Sequence, residues 1–529
     1  MRLTVANFHL LAFSAKAQAT AIAFHGLRDC SSLATLGMER GVPDFLLLSS
    51  LRFANFARAM QSRHRANQPS PKIGTPFQFP ASFVWGAATS AAQIEGAVAS
   101  DGRGPSIWDV FCQSPGRVIN GDDPSRACEF YHRWQDDIRL MQDIGLQAFR
   151  FSVSWSRVLP CGTGKVNPAG LDFYDRLTDG LLAAGIRPFL TLYHWDLPQA
   201  LSERGGWLNR ESADWFADYA GLMAAALGDR VKDWVTFNEP QIFLGFGYAH
   251  GSHAPGLKLP ESEVFKAVHH VNLAHGRAVQ RLRERVPDAS IGFAIATKIG
   301  IPRDESDPDC VEAARLATIE PEWTNSHESV LNNAWWADPM IHGRYPAELS
   351  RRLPGFVENL PAGDLAEICQ PLDFFGFNYY FGLVVEPDDA GGWRRSPIKP
   401  GEPRTMIGWP VHPTGLFWAC KFFHDAYQLP LYVFENGISA MDWVSLDGAV
   451  HDPNRIDFLT RYLAEYERAH LTGIPLVGYF HWSLLDNFEW AQGYQERFGL
   501  IHVDFATQQR TLKDSAHWFR KVIQDCTVL

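Results

Sequence analysis

Two glutamates are the obvious places to look for chemistry. Glu239 lies in Thr236-Phe237-Asn238-Glu239-Pro240, and Glu435 opens Glu435-Asn436-Gly437. Each sits at the end of a short apolar run, where a plain core strand has no use for an acid. Two carboxyls brought together have complementary uses. One, kept ionised, can attack or steady a positive centre. The other, kept protonated, can hand its proton to a leaving group. The two are 196 positions apart, so only a fold that returns the chain to one rim can unite them. Either motif alone would fit a surface or salt-bridged strand end, and the inference rests on the pair.

The elements that must position them are legible. From Phe77 onward, short β-rich runs alternate with amphipathic stretches such as Glu211–Leu227 and Val264–Val286. The runs are Phe83–Ser90, Ala148–Trp155, Arg187–Trp195, Asp233–Pro240, Ala289–Thr297, Asp373–Tyr380, Leu431–Gly437 and Leu476–Ser483. Alternating strands and helices imply parallel β-α-β units. Eight of them predict an α/β fold, a single (β/α)₈ barrel over residues 76–529. Such barrels carry their active site at the C-terminal ends of the strands. Seven of the eight runs end in polar or charged groups. The first leads to Gln93 and Glu95, and the second holds Arg150. The third ends in His194-Trp195-Asp196 and the fourth in Asn238-Glu239. The sixth ends in Asn378-Tyr379-Tyr380, the seventh in Glu435-Asn436 and the eighth in His481-Trp482-Ser483. Convergence of so many polar ends on one rim predicts a ligand site.

Composition narrows the partners. The chain has 529 residues and a formal net charge of −11, which argues against general affinity for nucleic acid or anionic membranes. Its 18 Trp and 36 Phe suit a cleft that stacks on the C–H faces of sugars, although aromatics more often simply fill core. The eight cysteines are scattered without C-x-x-C, which predicts reduced, mostly buried thiols and no zinc site. His269, His270 and His275 share one helix without a supporting carboxylate or cysteine cluster, and are expected to be ordinary helix histidines. No Gly-rich phosphate loop follows a strand, so no nucleotide cofactor is implied.

The N-terminus differs from the rest. Residues 1–75 carry nine Lys/Arg and three Asp/Glu, a local charge of +6, leaving −17 on the remainder. Their apolar runs, Phe8–Phe13 and Phe45–Leu51, fall short of the roughly 20 residues a membrane span needs. Arg2 and the Ala15-Lys16-Ala17 or Ala17-Gln18-Ala19 triplets have the outline of a signal peptide. A histidine in the apolar stretch and a lysine beside the site count against it, and the expected location is cytoplasmic. The segment is expected to be a poorly ordered extension, in part an upstream start with Met60 the natural one. Residues Gln61–Pro76 read as a linker.

Taken together, these motifs resemble glycoside hydrolase family 1 over about Phe79–Ile523. The resemblance rests on Phe83-Val84-Trp85-Gly86-Ala87-Ala88-Thr89-Ser90-Ala91-Ala92-Gln93-Ile94-Glu95-Gly96-Ala97, the two glutamate motifs, and Trp482-Ser483-Leu484-Leu485-Asp486-Asn487-Phe488-Glu489-Trp490. It implies a retaining β-glycosidase acting on terminal β-glucosyl groups of cellobiose-like oligosaccharides and of aryl or alkyl glucosides, without cofactor or metal. Galactosides, fucosides and 6-phosphoglucosides are the alternatives on the same site. It makes Glu435 the nucleophile, near Arg150 and Tyr380, and Glu239 the acid/base, with Asn378 in support. It places Gln93, His194, Glu489 and Trp490 on sugar hydroxyls and Asn238 on the 2-hydroxyl. Trp482 lies under the ring and Trp409 on the leaving-group side.

Two positions depart from the family pattern. Ala92 stands where an aromatic, Asn or His is usual, which bears on the seating of Gln93. Phe434 stands where a small residue is usual; strand alternation predicts that it faces away from Glu435. A 6-phosphate would meet Glu489 and Trp490, and a carboxylate repels it. Thioglucosidases lack the acid that Glu239 supplies. A sugar-binding protein that has lost catalysis would not need both carboxyls.

Overall fold

The computed structural model of the chain describes residue 74 and residues 76–322 and 326–527. The extension expected before the barrel, its candidate cleavage sites and Met60 lie outside the described residues, Gly74 apart.

Eight parallel strands close on themselves: β1 (Val84–Ala88), β2 (Ala148–Ser152), β3 (Arg187–Tyr193), β4 (Asp233–Asn238), β5 (Ser290–Ala296), β6 (Phe375–Asn378), β7 (Leu431–Asn436) and β8 (Leu476–Trp482). Each strand pairs with its neighbours in sequence, and β8 closes on β1 with Ala88 opposite Trp482. All eight lie inside the predicted runs. Each run overshoots its strand at the C-terminal end by one to three residues. The overshoot has a physical cause: the polar residues that end each run sit where the ladder stops and the chain turns into a loop.

A long helix follows each strand: α1 (Phe130–Ile144), α2 (Pro168–Ala183), α3 (Ser212–Leu227), α4 (Glu261–Arg285), α5 (Pro308–Ile319), α6 (Thr414–Tyr427), α7 (Pro453–Leu471) and α8 (Asp514–Thr527). Their ends follow local chemistry. Helix α4 starts with Glu261 and Glu263 and finishes with Arg283 and Arg285, matching the helix dipole. Helix α1 stops at Gly145, whose φ of 79° other residues rarely adopt. Among the described residues no helix is long and apolar enough to cross a membrane.

Two apolar layers hold the barrel. The larger lies between strands and helices. The smaller fills the barrel interior with Phe189, Phe374, Tyr432, Phe434 and Phe480, set among Ala88, Ala148, Val235 and Ala294. Rings this large need room on the facing strands, and glycine supplies it. A Cβ on Gly376 would come within 2.3 Å of the Phe434 ring, and one on Gly86 within 2.4 Å of Phe480.

The two strands that lead to the glutamates are irregular at the point that matters. Along β4, Val235 to Asn238 spans three steps against two on β5. Along β7, Val433 to Glu435 spans two steps against one on β6. An extra residue of this kind bends a strand and re-aims its side chains. It also breaks strict alternation. Phe434 does not face away from the site as predicted: its ring packs in the barrel interior, 5.0 Å from the Arg150 guanidinium carbon.

Candidate active site

Arg150 is the natural starting point, because a buried charge must find partners. It sits on the wholly buried β2 with no exposed surface. Its Nη1 donates to Glu435 Oε1 at 2.8 Å, its Nη2 to Asn238 Oδ1 at 2.5 Å, and its Nε to Thr191 Oγ1 at 3.1 Å. The Phe434 ring lies against the guanidinium, in range for a cation–π contact. The second oxygen of Glu435 accepts from Tyr380 Oη at 2.8 Å. Each Glu435 oxygen thus has a donor, a cation on one and a phenol on the other, with lone pairs left over.

Glu239 is surrounded differently. It follows β4 with φ of 47°, left-handed for a residue with a side chain, and precedes the short helix Pro240–Leu244. Conformations of this kind cost on the order of 1–3 kcal/mol and persist where the surroundings over-determine them. Its hydrogen-bonding partner is neutral: Asn378 Nδ2 donates to Oε1 at 2.9 Å. The same amide nitrogen lies 3.1 Å from Asn238 Oδ1, so Asn378 and Asn238 tie the two carboxyl environments together.

The electrostatics follow. Burial raises the Glu239 pKa well above the ordinary carboxyl range, and the charge of Glu435 raises it further; Asn378 and Arg150 only partly oppose this. Burial raises Glu435 too, and Arg150 and the Tyr380 hydroxyl pull it only part of the way back. Glu239 is the member of the pair that holds its proton more tightly.

A second group of side chains walls the pocket. Asn238 accepts from Arg150 and Asn378 through Oδ1, so its Nδ2 is the donor to His194 Nε2 at 3.0 Å. Burial and Arg150 push the His194 pKa well below its usual value. The ring is neutral with its proton on Nδ1, which has no protein partner. His194 stacks between Trp482 at 5.8 Å and Trp490 at 6.0 Å. Gln93 is buried despite the small Ala92 beside it. Its Oε1 accepts from Ser90 Oγ at 2.7 Å, and its Nε2 donates to Phe488 O at 2.9 Å and reaches Glu489 Oε2 at 3.4 Å. Burial, then the charges of Glu435 and Glu496, push the Glu489 carboxyl up to about 8. Trp409 is half-buried, 5.0 Å from the Tyr380 ring and 6.1 Å from Phe498, so it stands on the Glu435 side of the mouth.

All the predicted site residues thus belong to one connected group, but not every polar strand end joins it. Glu95 turns to Arg157 at 2.8 Å and to the Tyr174 hydroxyl at 2.6 Å. Asn436 is taken up by Tyr379 O and the Tyr479 hydroxyl. The His481 ring lies 6.2 Å from Phe519 on α8, outside the barrel wall. The helix histidines have protein partners: His269 contacts Asp364 and Tyr345, His270 contacts Trp207 O, and His275 contacts Thr236.

This constellation has close counterparts. The family model described as glycosyl hydrolase family 1 matches residues 75–527. The chain belongs to glycosyl hydrolase family 1. It is a glycoside hydrolase, and it is 43% identical over 449 residues to a protein named beta-glucosidase A of Thermotoga maritima, covering 85% of this chain and 98% of that one. It is 42% identical to a bifunctional beta-D-glucosidase/beta-D-fucosidase of Bifidobacterium breve, over 84% of this chain and 98% of that one. A solved Thermotoga maritima beta-glucosidase in complex with deoxynojirimycin superposes with a TM-score of 0.76 at 43% identity, covering 85% of this chain and 99% of that one.

Some members of the family 1 hydrolase's pocket were not singled out from its sequence. Thr191 seats Arg150, Phe498 packs on Trp409 and Tyr380, and Glu496 lies near Glu489. None belongs to a polar strand end or a short motif. Thr191 lies within β3, where its residue type alone gave no signal.

Proposed function

We propose that this family 1 hydrolase is a retaining β-glucosidase, with Glu435 as nucleophile and Glu239 as general acid and then base. The observation that carries the assignment is the unlike company of two carboxyls in one pocket. Glu435 holds Arg150 and Tyr380. Glu239 holds only the neutral Asn378 amide beside a negative neighbour.

The steps follow from those surroundings. A β-glucoside binds with its ring against Trp482 and its hydroxyls on Gln93, His194, Asn238, Glu489 and Trp490. Glu435, kept ionised by its donors, attacks the anomeric carbon as the bond to the leaving oxygen breaks. Glu239 gives that oxygen its proton. Once Glu435 is esterified its charge is gone, and with it one cause of the high Glu239 pKa. Glu239 then takes a proton from water, which attacks the anomeric carbon and frees Glu435 with net retention. Trp409 and Phe498 flank the leaving group. The Bifidobacterium relative, named for both activities, supports fucosides as a second substrate class.

Proton NMR of aryl β-glucoside hydrolysis tests the reading. The β-anomer of glucose should appear first and then mutarotate. Initial release of the α-anomer would mean an inverting site and a different use of the two carboxyls.

A further inference from the structure

One buried carboxylate beside the pocket has no task in the scheme above. Glu496 lies seven residues beyond Glu489, on the segment returning from the turn at Gly493. It is only 3% exposed. One oxygen accepts a 3.2 Å hydrogen bond from Gln495; the other, Oε2, has no partner in the protein. Among the described residues no ion pair involves Glu496 in the way that Arg497 pairs with Asp486 next to it. A buried carboxylate oxygen left without a donor is costly, so it is a poor device for stability alone.

Its direction is set by its neighbours. The chain is bridged in antiparallel fashion to Ala440 at Arg497. Side chains alternate along such a segment. Arg497 turns one way, to Asp486 Oδ2 at 2.7 Å and Val503 O at 3.0 Å. Phe498 turns the other way, packing 6.2 Å from Tyr380 and 6.1 Å from Trp409 at the mouth. Glu496 shares the face of Phe498. It is also close enough to Glu489 for its charge to help hold that carboxyl's proton. Glu496 therefore closes the wall between the Glu489 side of the pocket and its mouth.

We propose that Glu496 is a further substrate-binding carboxylate, whose free oxygen accepts a hydrogen bond from one hydroxyl of the sugar held against Glu489. This rests on the β-glucosidase reading and deepens it. An acceptor-only group next to a second acid selects a hydroxyl at that carbon and rejects a phosphate, sulfate or carboxylate there.

The test is kcat/KM for the full-length protein and for Glu496→Ala and Glu496→Gln. The substrates are p-nitrophenyl β-D-glucoside and its 2-, 3-, 4- and 6-deoxy analogues. Glu496→Ala should lose about ten- to a hundredfold on the parent glucoside, the worth of a charge-assisted hydrogen bond. On one deoxy analogue, and only one, that loss should shrink to less than about threefold. Glu496→Gln, which keeps the shape, should show the same pattern at smaller amplitude and serves if the alanine variant does not fold. A loss equal on all five substrates, or no loss on any, in a variant that melts like the parent protein overturns the proposal. A parent protein that turns over no β-glucoside would instead remove the underlying reading, and the two failures are told apart by that single control.

Discussion

The ends of β4 and β7 present the same side chain to the same pocket and treat it in opposite ways. At β7, Glu435 is gripped by Arg150 on one oxygen and Tyr380 on the other. At β4, Glu239 sits on a left-handed residue and receives one hydrogen bond from an amide. Both carboxyls are buried, at 3% and 7% exposure, so desolvation alone would raise both pKa values. The contrast teaches that role is assigned by the donors around each acid. Where a cation and a phenol meet a carboxylate, the charge is held. Where only an amide meets it and a negative neighbour lies close, the proton is held.

Removing one side of the contrast altogether should have the largest effect. Glu435→Ala should reduce turnover of every β-glucoside to background while the fold persists, because no other side chain is placed to form the glycosyl ester. Added azide should restore activity and yield the α-glycosyl azide. Near-normal turnover without azide would move the nucleophile elsewhere.

Disabling the other side should give a loss that depends on the leaving group. Glu239→Gln should slow cleavage of an alkyl glucoside by about 10⁴-fold, at the top of the range for general acid–base catalysis. A dinitrophenyl glucoside needs no protonation and should be slowed far less in its first step. Its glycosyl-enzyme should then accumulate on Glu435, visible by mass spectrometry, and azide should release it as the β-glycosyl azide. Equal slowing of good and poor leaving groups, with no trapped ester, would erase the distinction between the two strand ends.

Weakening the grip on Glu435 should blur the contrast without abolishing it. Tyr380→Phe removes a donor that favours the charged form. The Glu435 pKa then rises, so activity that depends on its ionised state is lost at a higher pH as the solution is acidified. The acid limb of the kcat/KM profile should move upward, the alkaline limb set by Glu239 should move less, and kcat/KM at the optimum should fall about ten- to a hundredfold. An unmoved acid limb would mean that Tyr380 does not tune Glu435.

The smallest effect is expected outside the barrel. A chain beginning at Met60 should match the full chain in activity and melting, because β1 starts at Val84 and the eight-strand count is complete without the residues before it. A large loss of either would give the N-terminal segment a part in stabilising the barrel.

Much of this molecule is legible before any coordinates. Eight apolar runs separated by amphipathic stretches specify eight strands, because the two periodicities of burial are written in residue type. The runs Asp233–Pro240 and Leu431–Gly437 end on their acids, and both acids reach the pocket. Glu95 and His481 are equally polar strand ends that do not. Glu95 lies past the ladder, where the loop's path decides which way a residue points; His481 lies inside β8, where alternation puts it on the face opposite Trp482. Phe434 shows a different limit. Phe434 keeps the interior face of Tyr432, beneath Arg150 and in space that Gly376 leaves open, and the extra residue in β7 turns Glu435 to the same side, which alternation could not foresee.

The sequence by itself determined the kind of barrel, the pairing of two carboxyls with an arginine, a tyrosine and two asparagines, and the family to which these belong. Residue types and their order suffice for that, because they encode periodicity and donor inventory. The tertiary structure decided which glutamate keeps its proton, how Asn238 leaves His194 Nδ1 free, and that one oxygen of the buried Glu496 lacks a donor. Those depend on desolvation and on the few ångströms between charges. Both are set only when segments as distant as β2, β4, β6 and β7 meet around one pocket.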